Sequence, residues 1–207
     1  MTMKNLPTSP LRLALLCGVV AVGLCIASCG GPAYDYSKEP DPRRNEYVIG
    51  IADGLRINVW KNPELSTQVS VRPDGTITMP LIGDIFAFGR TVSQLTGEIS
   101  SKLKAYVKEE GAIVSIAVTD VNSYRFTVSG NAERPGVFEL KYFATVADAL
   151  ARAGGINKFG SEKKMLILRL MPNGGVRKIP INFDRISRGD HPEENLVLLA
   201  GDTLFIP

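Results

Sequence analysis

Histidine, tryptophan and cysteine are nearly absent: the 207 residues hold one His, one Trp and three Cys. Each shortage excludes chemistry. Cys17 and Cys25 lie inside the apolar run Leu13–Ile26, and Cys29 lies just beyond it. A leader cut after Ser28 removes the first two, so no disulfide and no thiol pair remains. His191 stands before Pro192 in the polar stretch Arg188–Glu194. It reads as a surface-loop residue, because a general base needs an oriented neighbour and a transition metal needs more than one nitrogen or sulfur ligand. Paired carboxylates at Glu109-Glu110 and Glu193-Glu194 flank predicted element ends. Solvated termini explain them, whereas a glycosidase needs two carboxylates converging across a cleft. The glycine-rich stretches Gly50–Gly54, Gly130–Gly136 and Gly154-Gly155 match neither a phosphate loop nor a dinucleotide fingerprint. The inventory predicts no catalytic residue, no metal and no cofactor, and a structural or binding role.

Long apolar runs are also scarce. Leu13–Ile26 spans fourteen residues, short of the roughly 20 that cross a bilayer. Lys4 and Arg12 precede it, and Ile26-Ala27-Ser28-Cys29-Gly30 follows. That is a secretory signal over residues 1–28 with a lipoprotein cleavage box, a retained signal anchor being the alternative. Small side chains precede the cut, and the Cys29 thiol takes a diacylglyceryl group before becoming the new N-terminus. Each buried acyl methylene contributes ~0.8 kcal/mol, so lipidated Cys29 is a durable membrane anchor. Gly30 and Gly31, with no Asp after the cysteine, point to the outer membrane under the Gram-negative sorting rule. An excess of one charge sign is missing too: without Lys4 and Arg12, 22 basic residues face 21 acidic ones. Nucleic acid is therefore not an expected partner.

What is present divides into a tether and two α+β units. Residues 29–45 are rich in Gly, Pro and charge without a hydrophobic period, and read as a flexible tether. Residues 46–121 form the first unit. Leu55, Ile57 and Val59 alternate with polar neighbours as a strand. Gln68–Arg72 and Thr76–Met79 flank Pro73-Asp74-Gly75 as a hairpin, and Leu81–Phe88 is a further strand broken at Gly83-Asp84. Thr91 and Gln94 form a capping box for a helix whose face is Val92, Leu95, Ile99, Leu103 and Tyr106, ending near Glu110-Gly111. Ala112–Thr119 follows as a strand.

Residues 122–207 form the second unit: strands Tyr124–Ser129 and Val137–Leu140, a helix opened by Thr145 and closed at Gly154-Gly155, a hairpin of Met165–Leu170 with Val176–Asn182, and a closing strand Thr203–Ile206. This order is that of a β-grasp, a mixed sheet wrapped around one helix. Asp53-Gly54-Leu55-Arg56-Ile57 and Asp202-Thr203-Leu204-Phe205-Ile206 each set an Asp turn before an alternating strand, an echo that common turn chemistry also explains.

The stretch Trp60-Lys61-Asn62-Pro63-Glu64-Leu65, followed by Val69-Ser70-Val71-Arg72-Pro73-Asp74-Gly75-Thr76-Ile77-Thr78-Met79-Pro80-Leu81-Ile82-Gly83-Asp84-Ile85, resembles the signature of the bacterial outer-membrane polysaccharide export lipoprotein family. Val128–Gly136 and Ala147–Gly155 resemble the opening of the soluble-ligand-binding β-grasp (SLBB) domain that follows the export domain there. The resemblance implies an α+β protein with a small mixed-sheet export domain and an SLBB-type β-grasp domain. It implies a lipid-anchored outer-membrane protein that faces the periplasm and forms homo-oligomeric rings. It further implies that such a ring conducts a capsular or extracellular polysaccharide chain and docks on an inner-membrane chain-length-determinant co-polymerase.

Two departures stand out. The Gly-Pro-Gly-Asp turn of the family survives only in part as Gly50-Ile51-Ala52-Asp53, and no C-terminal amphipathic membrane helix follows the SLBB-like region. The chain is thus expected to be of the short class, with a separate outer-membrane β-barrel supplying the pore. Trp60, Pro63, Glu64, Phe86 and Phe88 are the candidate subunit-contact or glycan-facing residues, burial of Trp60 in the core being the favoured competing account. A solitary periplasmic glycan-binding lipoprotein that forms no ring is the alternative function.

Overall fold

Alternation of apolar and polar residues produces the first strand, β1 (Gly54–Val59), with Leu55, Ile57 and Val59 inward and Arg56 and Asn58 outward. The computed structural model describes residues 34–108 and 113–207, so the leader, Cys29 and Glu109-Glu110 lie outside the described residues. β1 is the centre of a three-stranded sheet, paired antiparallel with β2 (Thr67–Ser70) and β5 (Val114–Asp120). β3 (Thr76–Met79) and β4 (Gly83–Phe86) form a separate antiparallel pair. The first unit is therefore antiparallel throughout rather than mixed.

The expected hairpin of β2 with β3 does not form. Val71 extends β2 along the turn before β1, donating to the Asp53 carbonyl and accepting from Ala52 N, both at 2.9 Å. Pro73-Asp74-Gly75 does turn the chain, with Gly75 N on Arg72 O at 2.9 Å. Hydrogen bonds from Arg72 and Thr76 hold the Asp74 carboxyl well below the usual carboxylate range. Beyond that turn β3 takes β4 as its partner.

Helix α1 (Val92–Leu103) has the reciprocal Thr91–Gln94 capping box and buries Leu95, Ile99 and Leu103. Each such side chain contributes ~1.5–3 kcal/mol on burial. The helix stops at Leu103, seven residues before the expected end. Tyr106 N bonds Leu103 O at 2.9 Å, and this tighter three-residue turn swings Tyr106 off the buried face into solvent.

The second core is built by β6 (Arg125–Gly130), β7 (Gly136–Glu139), α2 (Val146–Arg152), β8 (Met165–Leu170), β9 (Val176–Ile181) and β10 (Thr203–Ile206). The sheet order is β7-β6-β10-β8-β9, with β10 parallel to β6 and antiparallel to β8. One face, carrying Phe126, Val128, Ile167 and Leu204, packs on Val146, Ala149 and Leu150 of α2. This is the expected β-grasp. Gly154 ends α2 in the left-handed region at φ +79°, and Gly155 N returns to Leu150 O at 2.9 Å, a Schellman closure. A short helix not expected from the sequence, α3 (Phe183–Arg188), runs from an Asn182 cap to left-handed Gly189.

Tyr34–Asn45 is not a loose tether. Tyr34 and Tyr36 pack against the second core, and the Tyr36 hydroxyl donates to Pro180 O at 2.7 Å. The Glu39 carboxylate, its side chain 2% exposed, meets Arg169 at 2.8 Å and Arg177 at 3.2 Å. Arg169 also forks onto Asp202 at 2.9 and 2.6 Å. A composition suited to a linker thus forms a strap, because its one buried carboxylate bridges two arginines of the β8–β9 hairpin.

Candidate functional site

The turn Gly50–Asp53 joins the two units. Gly50 N donates to Asp53 Oδ2 at 2.8 Å. From the start of the second unit, Asn122 N and Ser123 N both donate to Oδ1 at 2.9 Å, and Ser123 Oγ lies 3.0 Å from Oδ2. The Tyr47 hydroxyl completes the set at 2.6 Å. Burial, together with its bond to Asp53, pushes the Tyr47 phenol far above its ordinary pKa. A side chain at Gly50 has no room, since its Cβ would fall 2.1 Å from Ser123 Cβ. Ala52 occupies the left-handed region at φ +71°, where the resembled turn places glycine.

Asp202 repeats this device. Leu199 N donates to its Oδ2 at 2.7 Å, as Gly50 N does to Asp53, and each Asp starts the central strand of its sheet. Both turns open onto one groove of about 710 Å³, walled by Tyr47, Val48, Ile51, Phe88, Phe143 and Leu199. Its wall is mainly apolar. Tyr47 and Ser123, whose hydroxyls donate to buried Asp53, are the polar groups at one end of it, and an apolar groove with a few fixed polar groups suits ligand binding.

The sequence-derived candidates fall into two patches. Trp60, 61% exposed, ends β1 at a corner shaped by Lys61 at φ +58° and by the turn Pro63–Leu65. Burial of Trp60 in the core is therefore excluded. Trp60, Pro63 and exposed Ile113 surround a shallow pocket of about 320 Å³, and Glu64 is exposed beside them. Phe86 and Phe88 pack edge to face, centroids 6.5 Å apart, with nearly half of each side chain exposed. Phe88 belongs to the groove, at the Asp53 end of β1. The six residues of β1, rising ~3.3 Å each, set the two patches roughly 20 Å apart.

The remaining candidates stay separate. His191 Nδ1 sits 2.8 Å from Glu193 Oε1 at the surface, and this contact lowers the Glu193 pKa. Glu194 is instead buried and taken up by Arg185 at 2.9 Å and Asn182 N at 2.8 Å. Among the described residues no cluster of three or more His, Cys, Asp or Glu could hold a metal ion. Tyr47, Ser123 and Phe143 were not singled out from the sequence; the only local signal for them is the Gly50-x-x-Asp53 turn itself.

The family model for polysaccharide biosynthesis/export protein matches residues 41–119, and that for the SLBB domain matches 125–180. The chain is 28% identical over 159 residues to the exopolysaccharide production protein ExoF of Rhizobium meliloti (strain 1021), covering 71% of this chain and 34% of that protein. It is 27% identical over 184 residues to the EPS I polysaccharide export outer membrane protein EpsA of Ralstonia nicotianae, covering 77% and 47%. To the capsule polysaccharide export protein BexD of Haemophilus influenzae it is 23% identical over 179 residues, covering 77% and 43%. The matches thus span between a third and a half of the length of these relatives.

Proposed function

Because the chain belongs to the bacterial polysaccharide export family, we propose that it is an outer-membrane lipoprotein component of a capsular or exopolysaccharide export machine, forming or gating a periplasmic conduit. Acylated Cys29 holds it at the membrane. The cargo is a polysaccharide chain, an inner-membrane chain-length-determinant co-polymerase docks on it, and a separate β-barrel supplies the passage through the bilayer. No bond is made or broken.

The observation that carries this reading is the placement of two exposed aromatic patches at opposite ends of the first unit. A ring requires a heterologous interface, in which one surface of each subunit meets a different surface of the next. The Trp60–Pro63–Glu64 corner and the Phe86–Phe88 pair supply two such surfaces.

The test is the mass of the lipidated protein in mild detergent by light scattering, with Cys29→Ser and Trp60→Ala variants. A discrete oligomer is expected. Trp60→Ala should lower that mass while changing subunit stability by about 0.5 kcal/mol or less, as for an exposed residue. A stable monomer, with or without the co-polymerase, overturns the conduit and favours the solitary glycan-binding lipoprotein, with the seam groove as its sugar site.

A further inference from the structure

We propose that the tip of the β8–β9 hairpin rests on the phospholipid leaflet that holds the acyl chains of Cys29; the inference rests on Cys29 acylation as read above. At the tip, Leu170 and Val176 face each other across the ladder and are 70% and 57% exposed. Neither belongs to a hydrophobic core. Half-buried Leu166, Leu168 and Phe205 continue the same uncovered sheet face.

The connecting turn is self-supporting. Met171 N bonds Gly175 O at 2.8 Å, Gly174 N bonds Met171 O at 2.9 Å, and Asn173 Oδ1 accepts Gly175 N at 3.0 Å. Pro172 projects from it, exposed. Lys178, two residues after Val176 on the same face of β9, is exposed. An apolar tip backed by a cation suits a leaflet edge, with the apolar side chains among the acyl chains and the Lys178 ammonium at the phosphates.

Covalent geometry keeps the leaflet within reach of this tip. Tyr34 donates to Glu39, and Glu39 is ion-paired with Arg177 and Arg169, the cross-strand pair next to Leu170 and Val176. The strap is thereby tied to the hairpin. Cys29 precedes Tyr34 by five residues, which at full extension reach no more than ~18 Å. An acylated Cys29 therefore keeps the membrane surface within that reach of a point already bonded to the hairpin.

The test uses the full lipidated chain on vesicles of phosphatidylethanolamine and phosphatidylglycerol. An environment-sensitive fluorophore is placed on Pro172→Cys at the tip or on Lys158→Cys toward the other end of the same sheet. Nitroxide-labelled lipids should quench the Pro172→Cys label several-fold more than the Lys158→Cys label. Leu170→Asp with Val176→Asp should abolish that difference without changing thermal stability.

Equal quenching of the two labels on acylated, vesicle-bound protein overturns the proposal alone. A purified chain whose mass shows no acyl groups overturns the anchor reading and the proposal with it. A blue shift of the Pro172→Cys label that grows with protein concentration in detergent, without lipid, reassigns the tip to contact between copies and also overturns it.

Discussion

Replacing Asp53 with Asn tests whether one buried carboxylate joins the two units. Oδ1 takes two backbone N–H groups of the second unit, and Oδ2 takes Gly50 N and the Tyr47 and Ser123 hydroxyls. With Asn, the oxygen serves best on Asn122 and Ser123, and its NH2 then faces Gly50 N–H. The two hydroxyls can rotate to accept, but Gly50 N–H cannot. One orphaned buried donor costs ~1–3 kcal/mol, and the retained bonds lose their charge assistance, so the total is about 3 kcal/mol. Asp53→Ala orphans the whole set and should cost about 5 kcal/mol, at the diagnostic end of single-substitution effects. Calorimetry on the Cys29→Ser chain, which avoids detergent, should show a fall of roughly 6–12 °C for Asn at ~2–4 °C per kcal/mol. Asp84→Asn, at an exposed ion pair with Arg72, serves as control and should shift stability by under ~0.5 kcal/mol. A loss below about 1 kcal/mol for Asp53→Asn, or an Ala variant no worse than Asn, would refute the hub.

Ala52→Gly should stabilise. Relief of left-handed strain is worth ~1–2 kcal/mol and the added unfolded-state entropy costs ~0.4–1, so Tm should rise by about 2 °C; a fall would show that Ala52 is unstrained. Glu39→Gln should loosen the strap, costing about 2 kcal/mol because Arg169 keeps Asp202. It should speed tryptic cleavage at Arg43 and Arg44, and an unchanged cleavage rate would remove the ion cluster as the strap's fastening. Burial is the largest cause pushing the Tyr34 and Tyr36 phenols up to about 12 from their ordinary 10. The folded state therefore holds protons that the unfolded chain releases above about pH 10, so the stability they add is full below that pH and is lost on approach to 12. Alkaline denaturation followed by tyrosinate absorbance should show these two titrating late, together with unfolding. Smooth titration near 10 in the folded protein would contradict that burial.

Features set by near neighbours were legible in the sequence. The Thr91–Gln94 and Thr145–Asp148 caps, the alternation of β1 and the Gly154-Gly155 closure each depend on residues within one or two turns of chain. Partners chosen at a distance were not. β2 pairs with β1 because Val71 is captured by the Asp53 turn, which the local turn signal at Pro73-Asp74-Gly75 could not report. The strap reads as linker by composition, and its attachment depends on Arg169, 130 residues away. α3 is too short to show a period. Trp60 illustrates the converse error, since its size favoured a core position while the turn at Lys61 directs it outward. Of the groove, Phe88, the Gly50–Asp53 turn and the Asp echo were legible, and the meaning of the echo emerged only when both turns proved to open onto the same seam.

The place of β10 has a consequence for how the protein is made. The latest strand in chain order is inserted at the middle of its sheet, between β6 and β8, and it carries the only parallel pairing there. The second sheet therefore cannot zip up as it is synthesised or as it crosses a membrane. β6–β7 and β8–β9 can form as separate hairpins, each with an unsatisfied edge, until Thr203–Ile206 arrives to join them. Closing contacts of this separation are slow, whereas the first unit completes within residues 46–120. A chaperone that shields strand edges during export would act on the second unit, in the interval before its central strand is delivered.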